Sequence, residues 1–239
     1  MGVLKAILAW TAYFITGGIF LAFVIPVSLA FLPFAKHKKV FSRFLFAYMK
    51  WFVHSALPFL RVIKITEISG AEKIGQSGII VSNHHSFLDG FFVMGNFGGV
   101  PLVKSSYKFN PIFAWIAALF DFVPLEFSPA GLTNADKKLR KLLKNNELIY
   151  ICPEGTRSSD GKLQKFQTLA FKIAIDANAP IFPVIIKYSK PIMSKTRESF
   201  VFGKVVEVKI CVLDEMHPQE SETTAKFMQR VHSAMSEKL

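Results

Sequence analysis

From Val62 onward, short apolar runs alternate with longer stretches in which apolar positions recur every three or four residues. The runs Val62–Ile68, Gly78–Ser82, Val100–Val103, Glu147–Cys152, Ile181–Lys187 and Phe200–Val212 predict strands. The stretches Phe87–Asn96, Pro111–Phe120, Asn134–Asn145, Phe166–Asn178 and Glu222–Glu237 predict helices. Such alternation predicts an α/β domain. No internal repeat or low-complexity tract interrupts it.

The first sixty residues follow another pattern. Ala6–Ala35 is a run of 30 residues without a charge, bounded by Lys5 and by Lys36-His37-Lys38-Lys39. About 20 apolar residues span a bilayer, so the run is long enough. Gly17-Gly18 and Pro26 can kink it or turn it back. A tilted span, a helix re-entering one leaflet and a cleaved signal peptide ending near Ser28-Leu29-Ala30 are the three alternatives. The weak basic start and overlong apolar stretch argue against cleavage. If the run spans, the basic cluster after it places the remainder on the cytoplasmic face of the cell inner membrane. In Phe41–Leu60, Arg43, Lys50 and His54 interleave with Phe44, Phe46, Tyr48, Trp51 and Phe52. That mixture suits a helix lying among lipid headgroups, with an ordinary buried helix as the alternative. The chain thus divides into a membrane anchor over 1–60 and a catalytic-size domain over 61–239.

Composition supports the lipid setting. Of 239 residues, 29 are Lys or Arg and 17 are Asp or Glu, giving a net charge of +12. Hydrophobic residues make up 51%, including 25 Phe, and charged residues only 19%, which excludes a disordered chain. A basic chain meets nucleic acid or anionic lipid. Here the charge is scattered and the aromatics lie in apolar runs, so a membrane partner is expected and nucleic acid is not. Cys152 and Cys211 form neither a disulfide framework nor a metal-binding spacing.

Two polar constellations interrupt the apolar pattern. Asn83-His84-His85-Ser86-Phe87-Leu88-Asp89-Gly90 follows the run ending at Val81, where a strand passes into a helix and ligands of α/β folds bind. A histidine can take a proton from an alcohol near neutral pH. A carboxylate five positions on can fix its tautomer and stabilise the imidazolium, which makes His84 with Asp89 the candidate pair. A histidine that merely caps the helix, or metal binding by the adjacent histidines, are the alternatives; no third cluster supports the metal. Ile151-Cys152-Pro153-Glu154-Gly155-Thr156-Arg157-Ser158 again runs from a strand into a turn. Gly155 lets the backbone approach a ligand, Arg157 offers a fork for phosphate, and Thr156 and Ser158 offer hydroxyls. Glu154 suits a substrate hydroxyl or a cation. A turn with a surface ion pair is the alternative, and Cys152 reads as a small buried strand residue.

Together, Asn-His-x4-Asp and Pro-Glu-Gly-Thr-Arg-Ser, with Ala179-Pro180-Ile181-Phe182-Pro183-Val184 further on, resemble the lysophosphatidate acyltransferase family of glycerolipid acyltransferases. The resemblance covers roughly residues 60–212 and extends to an N-terminal anchor. It implies a mixed sheet flanked by helices. It implies that His84, oriented by Asp89, deprotonates a glycerol hydroxyl, which attacks the thioester of acyl-CoA or acyl-carrier protein without an acyl-enzyme. It implies that Glu154, Gly155, Thr156, Arg157 and Ser158 bind the lysophospholipid acceptor, with Arg157 on its phosphate, and that Lys104 supplies a second basic group. No metal or redox cofactor is expected, since thioester cleavage is downhill.

The chain departs from that family at two places. Phe127 stands where the second block typically ends in arginine, and Phe166-Gln167-Thr168-Leu169 stands where the third continues as Phe-Lys-x-Gly. One lost charged hydrogen bond to phosphate costs about 1.5–3 kcal/mol. The favoured product is phosphatidate from 1-acyl-glycerol-3-phosphate. A phosphate-free acceptor (lyso-ornithine lipid, glycolipid or polyene lipid) and a catalytically silent lipid-binding protein are the alternatives. His84-His85-Ser86-Phe87-Leu88-Asp89-Gly90 also resembles the signature of the chloramphenicol acetyltransferase and condensation-domain family, in which His85 would be the base. That family lacks the anchor and the Pro-Glu-Gly-Thr-Arg block.

Overall fold

The structure is a computed structural model that describes residues 38–59, 61–109, 121–192 and 205–239, with Ile7, Thr11, Ala114, Ala117 and Lys195 as isolated positions. Apart from those positions, the run Ala6–Ala35 and the expected helix Pro111–Phe120 lie outside the described residues, as do residues 200–204 of the expected last strand. Among the described residues, no helix is long and apolar enough to cross a membrane.

Seven strands form one mixed sheet: β1 (Ile63–Ser69), β2 (Gly78–Ser82), β3 (Val100–Lys104), β4 (Val123–Leu125), β5 (Leu148–Ile151), β6 (Ile181–Tyr188) and β7 (Val206–Val212), in the order β1-β7-β6-β2-β5-β3-β4. The strands from β6 to β4 run parallel to one another, β7 is antiparallel to β6, and β1 is parallel to β7. Every residue of β2 is buried, as continuous apolar runs in the middle of a parallel sheet require. The helices are α1 (Lys38–Trp51, continued by a π-helical turn at Phe52–Ala56 and by Leu57–Phe59), α2 (Asp89–Phe97), α3 (Pro129–Lys144), α4 (Leu169–Ala177) and α5 (Thr224–Lys238).

Two apolar cores lie on opposite faces of the sheet. One gathers Phe92 and Val93 of α2 with Val184, Val206 and Val208, and the other gathers Leu139 of α3, Phe171 and Ile173 of α4 and Phe227 and Val231 of α5. Helix α1 belongs to the first: its Met49, Phe52, Val53 and Leu57 are buried there, while Trp51 and Phe59 are exposed. The two helices approach closely at Gly95 of α2, where an added Cβ would lie 2.9 Å from the backbone nitrogen of Lys50. Residues 46–59 therefore pack as part of the domain core along one side and present Trp51 and Phe59 on the other.

The sequence pattern misses β4 altogether. It is a three-residue strand carrying Pro124, pairing with β3 and forming an edge of the sheet among the described residues, a place where proline's missing donor is tolerated. Helix α3 begins five residues before the expected Asn134, because the Ser128 hydroxyl accepts the Gly131 N–H at 3.1 Å and Pro129 fits the first turn. Helix α4 begins at Leu169 rather than Phe166, since Gln167 is held outside it by its N–H to the Pro153 carbonyl at 2.7 Å.

Candidate active site

Strands β2 and β5 are parallel neighbours, so the segments following them meet at the carboxyl edge of the sheet. Asn83, just past β2, is fully buried and prolongs the strand ladder with its side chain. Its Nδ2 donates to the Ile186 carbonyl at 2.9 Å and its Oδ1 accepts the Ile186 N–H at 2.8 Å. The next residue, His84, turns to meet the start of α2, and its Nδ1 lies 3.0 Å from Asp89 Oδ2.

Asp89 is wholly buried and every contact it makes is with a donor. Oδ2 also accepts the backbone N–H groups of His85 and Ser86, each at 2.8 Å, and Oδ1 accepts the Tyr188 hydroxyl. Such a set suits an ionised carboxylate. Burial alone would hold His84 neutral, but the adjacent Cys152 and Asp89, through charge and hydrogen bonds, outweigh it and raise its pKa to about 11. His85 is different. Its ring does not reach Asp89, Nδ1 faces the Asn83 amide at 3.3 Å, Nε2 is buried without a protein partner, and burial lowers its pKa.

Glu154 ties the second segment to the first. Its Oε1 accepts the His84 N–H at 2.7 Å and its Oε2 the Gln164 N–H at 2.9 Å. Burial raises its pKa to about 7, against the pull of those two bonds. Ser158 N–H returns to the His84 carbonyl at 2.7 Å, and the Ser158 hydroxyl donates to Asp160 at 2.9 Å. Gly155 turns the chain at φ 68°, in the left-handed region. Thr156 is exposed on this loop and Arg157 is half-buried and partnered.

The fold therefore joins His84, Asp89, Glu154 and Ser158 into one bonded cluster. It sets Gly155, Thr156 and Arg157 on the adjoining loop. Lys104 is exposed at the end of β3, on the same edge but beyond β5. The Glu154 and Ser158 side chains are buried and hydrogen-bonded to neighbouring loop groups. Cys152 is half-buried, with Sγ 3.0 Å from the Tyr150 hydroxyl and 3.7 Å from Ser82 Oγ, and it lies close enough to His84 to raise its pKa. Sequence reasoning passed over Tyr188, Tyr150 and Gln164. The available signal at Tyr188 was a polar-tipped aromatic closing an apolar strand. Among the described residues, no group of three His, Cys, Asp or Glu side chains could hold a metal.

Fold and site together define an α/β domain with a polar, hydrogen-bonded cluster where β2 and β5 end. A model of the acyltransferase family matches residues 64–187, more than half the chain, and the chain belongs to that family. It is 29% identical over 182 residues to the chloroplastic 1-acyl-sn-glycerol-3-phosphate acyltransferase BAT2 of Brassica napus, covering 71% of this chain and 49% of that protein. It is 26% identical over 181 residues to the 1-acyl-sn-glycerol-3-phosphate acyltransferase of Saccharomyces cerevisiae, covering 72% of this chain and 59% of that one. The chain spans about half the length of the curated relatives it matches. The crystal structure of the 1-acyl-sn-glycerophosphate acyltransferase PlsC from Thermotoga maritima has the same fold, with a TM-score of 0.79 at 20% identity over 100% of this chain and 96% of that one.

Proposed function

We propose that the protein transfers a fatty acyl group from acyl-CoA or acyl-carrier protein to the free hydroxyl of a lysophospholipid, with 1-acyl-glycerol-3-phosphate as acceptor and phosphatidate as product. The observation that carries the reading is the 3.0 Å bond between His84 Nδ1 and buried Asp89. It commits Nδ1, so that proton abstraction falls to Nε2. The acceptor hydroxyl gives its proton to His84, its oxygen attacks the thioester carbonyl, and the thiolate leaves with the proton that the imidazolium returns. Asp89 stabilises the imidazolium formed in between. Neither a metal nor a redox group is needed for this sequence.

Gly155, Thr156 and Arg157 face the acceptor headgroup, with Arg157 on the phosphate and Lys104 as a second cation. Glu154 and Ser158 hold the two loops in register. His85 does not serve as base, because its ring reaches neither Asp89 nor another carboxylate.

A lipid surface is the working environment. Phe87, Phe109 and Phe127 are exposed in segments that follow β2, β3 and β4 at the carboxyl edge, and Phe59 is exposed just before β1, which starts at the same edge. Aromatics around the mouth and the apolar run Ala6–Ala35 together support docking of that edge against the cytoplasmic face of the inner membrane.

A second reading, a phosphate-free acceptor, is favoured by Phe127, 68% exposed, and by Gln167, exposed beside Gly155, in place of two cations. The test is acyl transfer in detergent from one labelled acyl-CoA, offering lysophosphatidate and phosphate-free lysolipids side by side. Preference for lysophosphatidate supports the first reading, and preference for a phosphate-free acceptor replaces it with the second.

A further inference from the structure

The His84–Asp89 pair is backed by a third strand. Asp89 Oδ1 accepts the hydroxyl of Tyr188, the last residue of β6, while the Tyr188 ring packs against Phe92 of α2 with centroids 6.1 Å apart. The backbone just before it is clamped at Ile186 by both polar atoms of the Asn83 side chain. Ile186 and Tyr188 share one face of β6, as positions two apart do. The Asn83 clamp therefore fixes where the tyrosine hydroxyl lies. Every group on Oδ2 is a short-range donor from residues 84–86. Among the described residues Tyr188 alone donates to Oδ1, and it comes from 99 residues away.

We propose that Tyr188 is a positioning residue for acyl transfer, locking the Asp89 carboxylate so that Oδ2 stays on His84, with Asn83 seating the strand that carries it. The proposal rests on the reading of His84 as base. It has two consequences. With the hydroxyl gone, the carboxylate rotates more freely and meets the imidazolium less often in the productive geometry. Imidazolium formed by protonation from solvent loses the same stabilisation, so the rate and the acidic limb move together.

The other groups facing the pair stay in place: Cys152 and Glu154 beside His84, Tyr150 beside Cys152, and His85, with Asp160 behind it, beside Asp89. None of them donates to Oδ1.

The test is the pH profile of acyl transfer for wild type, Tyr188→Phe and His84→Ala, with melting temperatures alongside. Phenylalanine keeps the ring that packs on Phe92, so the fold is retained. The expected result for Tyr188→Phe is a high-pH kcat about tenfold lower, acceptor KM within about twofold, and an acidic limb moved to lower pH. An unchanged kcat and limb, or an effect confined to KM, overturns the proposal. Should the melting temperature fall sharply, the double variant with Asp89→Asn decides: added to Asp89→Asn, Tyr188→Phe moves the limb no further if it acts through Asp89, and an equal shift in both backgrounds overturns the idea. Activity surviving in His84→Ala identifies failure of the base assignment itself rather than of the tyrosine's role.

Discussion

Replacing Asp89 by asparagine isolates the charge of the carboxylate from its shape. The oxygen of the carboxamide can keep the Oδ2 position, because two backbone N–H groups and His84 all donate there. The NH2 must then face Tyr188, whose hydroxyl can turn to accept it, so the variant folds with its local bonds nearly complete. What disappears is attraction between a carboxylate and an imidazolium whose bonded atoms are 3.0 Å apart. With charge centres about 4 Å apart and an effective dielectric constant of about 20, that attraction is about 4 kcal/mol. Each 1.36 kcal/mol is tenfold in rate, so the loss at the high-pH plateau is about a thousandfold. The same charge also favours imidazolium formed by protonation from solvent. Removing it lowers the pKa of His84, so the acidic limb of the profile moves to lower pH by up to about three units. At neutral pH the two effects offset each other, and one assay there would report little change. The assay is therefore kcat and kcat/KM for acyl transfer across pH, with a melting curve to confirm the fold. A plateau within a few-fold of wild type, or a limb that stays in place, would refute the coupling of Asp89 to His84 and leave it as a local tie for the His85 and Ser86 backbone.

Arg157→Ala should raise the acceptor's apparent KM more than the donor's, and an effect confined to the donor contradicts its phosphate role. Gly95→Ala should destabilise the fold, since its Cβ would press on the Lys50 and Met49 backbone at 2.9–3.0 Å. Overpacking costs about 1–3 kcal/mol and better helix propensity returns about 1, so a denaturation curve should show a net loss of about 1 kcal/mol, and a gain would contradict close packing of α1. Stability should fall as pH rises above about 7. His84 binds its proton more tightly in the native state, so the stability this adds is complete below the ordinary histidine value of 6.5 and is lost as pH rises through the native value of about 11. His84→Ala should flatten that slope, and a melting temperature equally pH-dependent in both proteins contradicts it.

The central strands were legible because β2, β5 and β6 are buried on both faces and leave unbroken apolar runs between turns. Strand β4 was not, since three residues with an inner proline have no periodicity to read. The mixed aromatic and basic pattern of 41–60 fits a lipid-facing helix and a core helix equally, and α1 has one side of each kind. Within the site, His84 and Asp89 were visible because their contact spans five positions. Glu154 gave only its residue type. Its bond to the His84 backbone crosses 70 positions and exists because β2 and β5 are neighbours. Tyr188 depends on β6 lying beside β2 in the same way. Local spacing thus reported the His84–Asp89 pair, and strand order supplied the groups that hold it.

The most direct measurement compares acyl transfer by wild type, His84→Ala and His85→Ala with the same labelled acyl-CoA and the better acceptor. The account predicts that His84→Ala abolishes transfer while His85→Ala, which removes a ring bonded to the Asn83 amide, keeps most of it. Transfer that survives loss of His84 and fails with loss of His85 would contradict the account and make the second histidine the base.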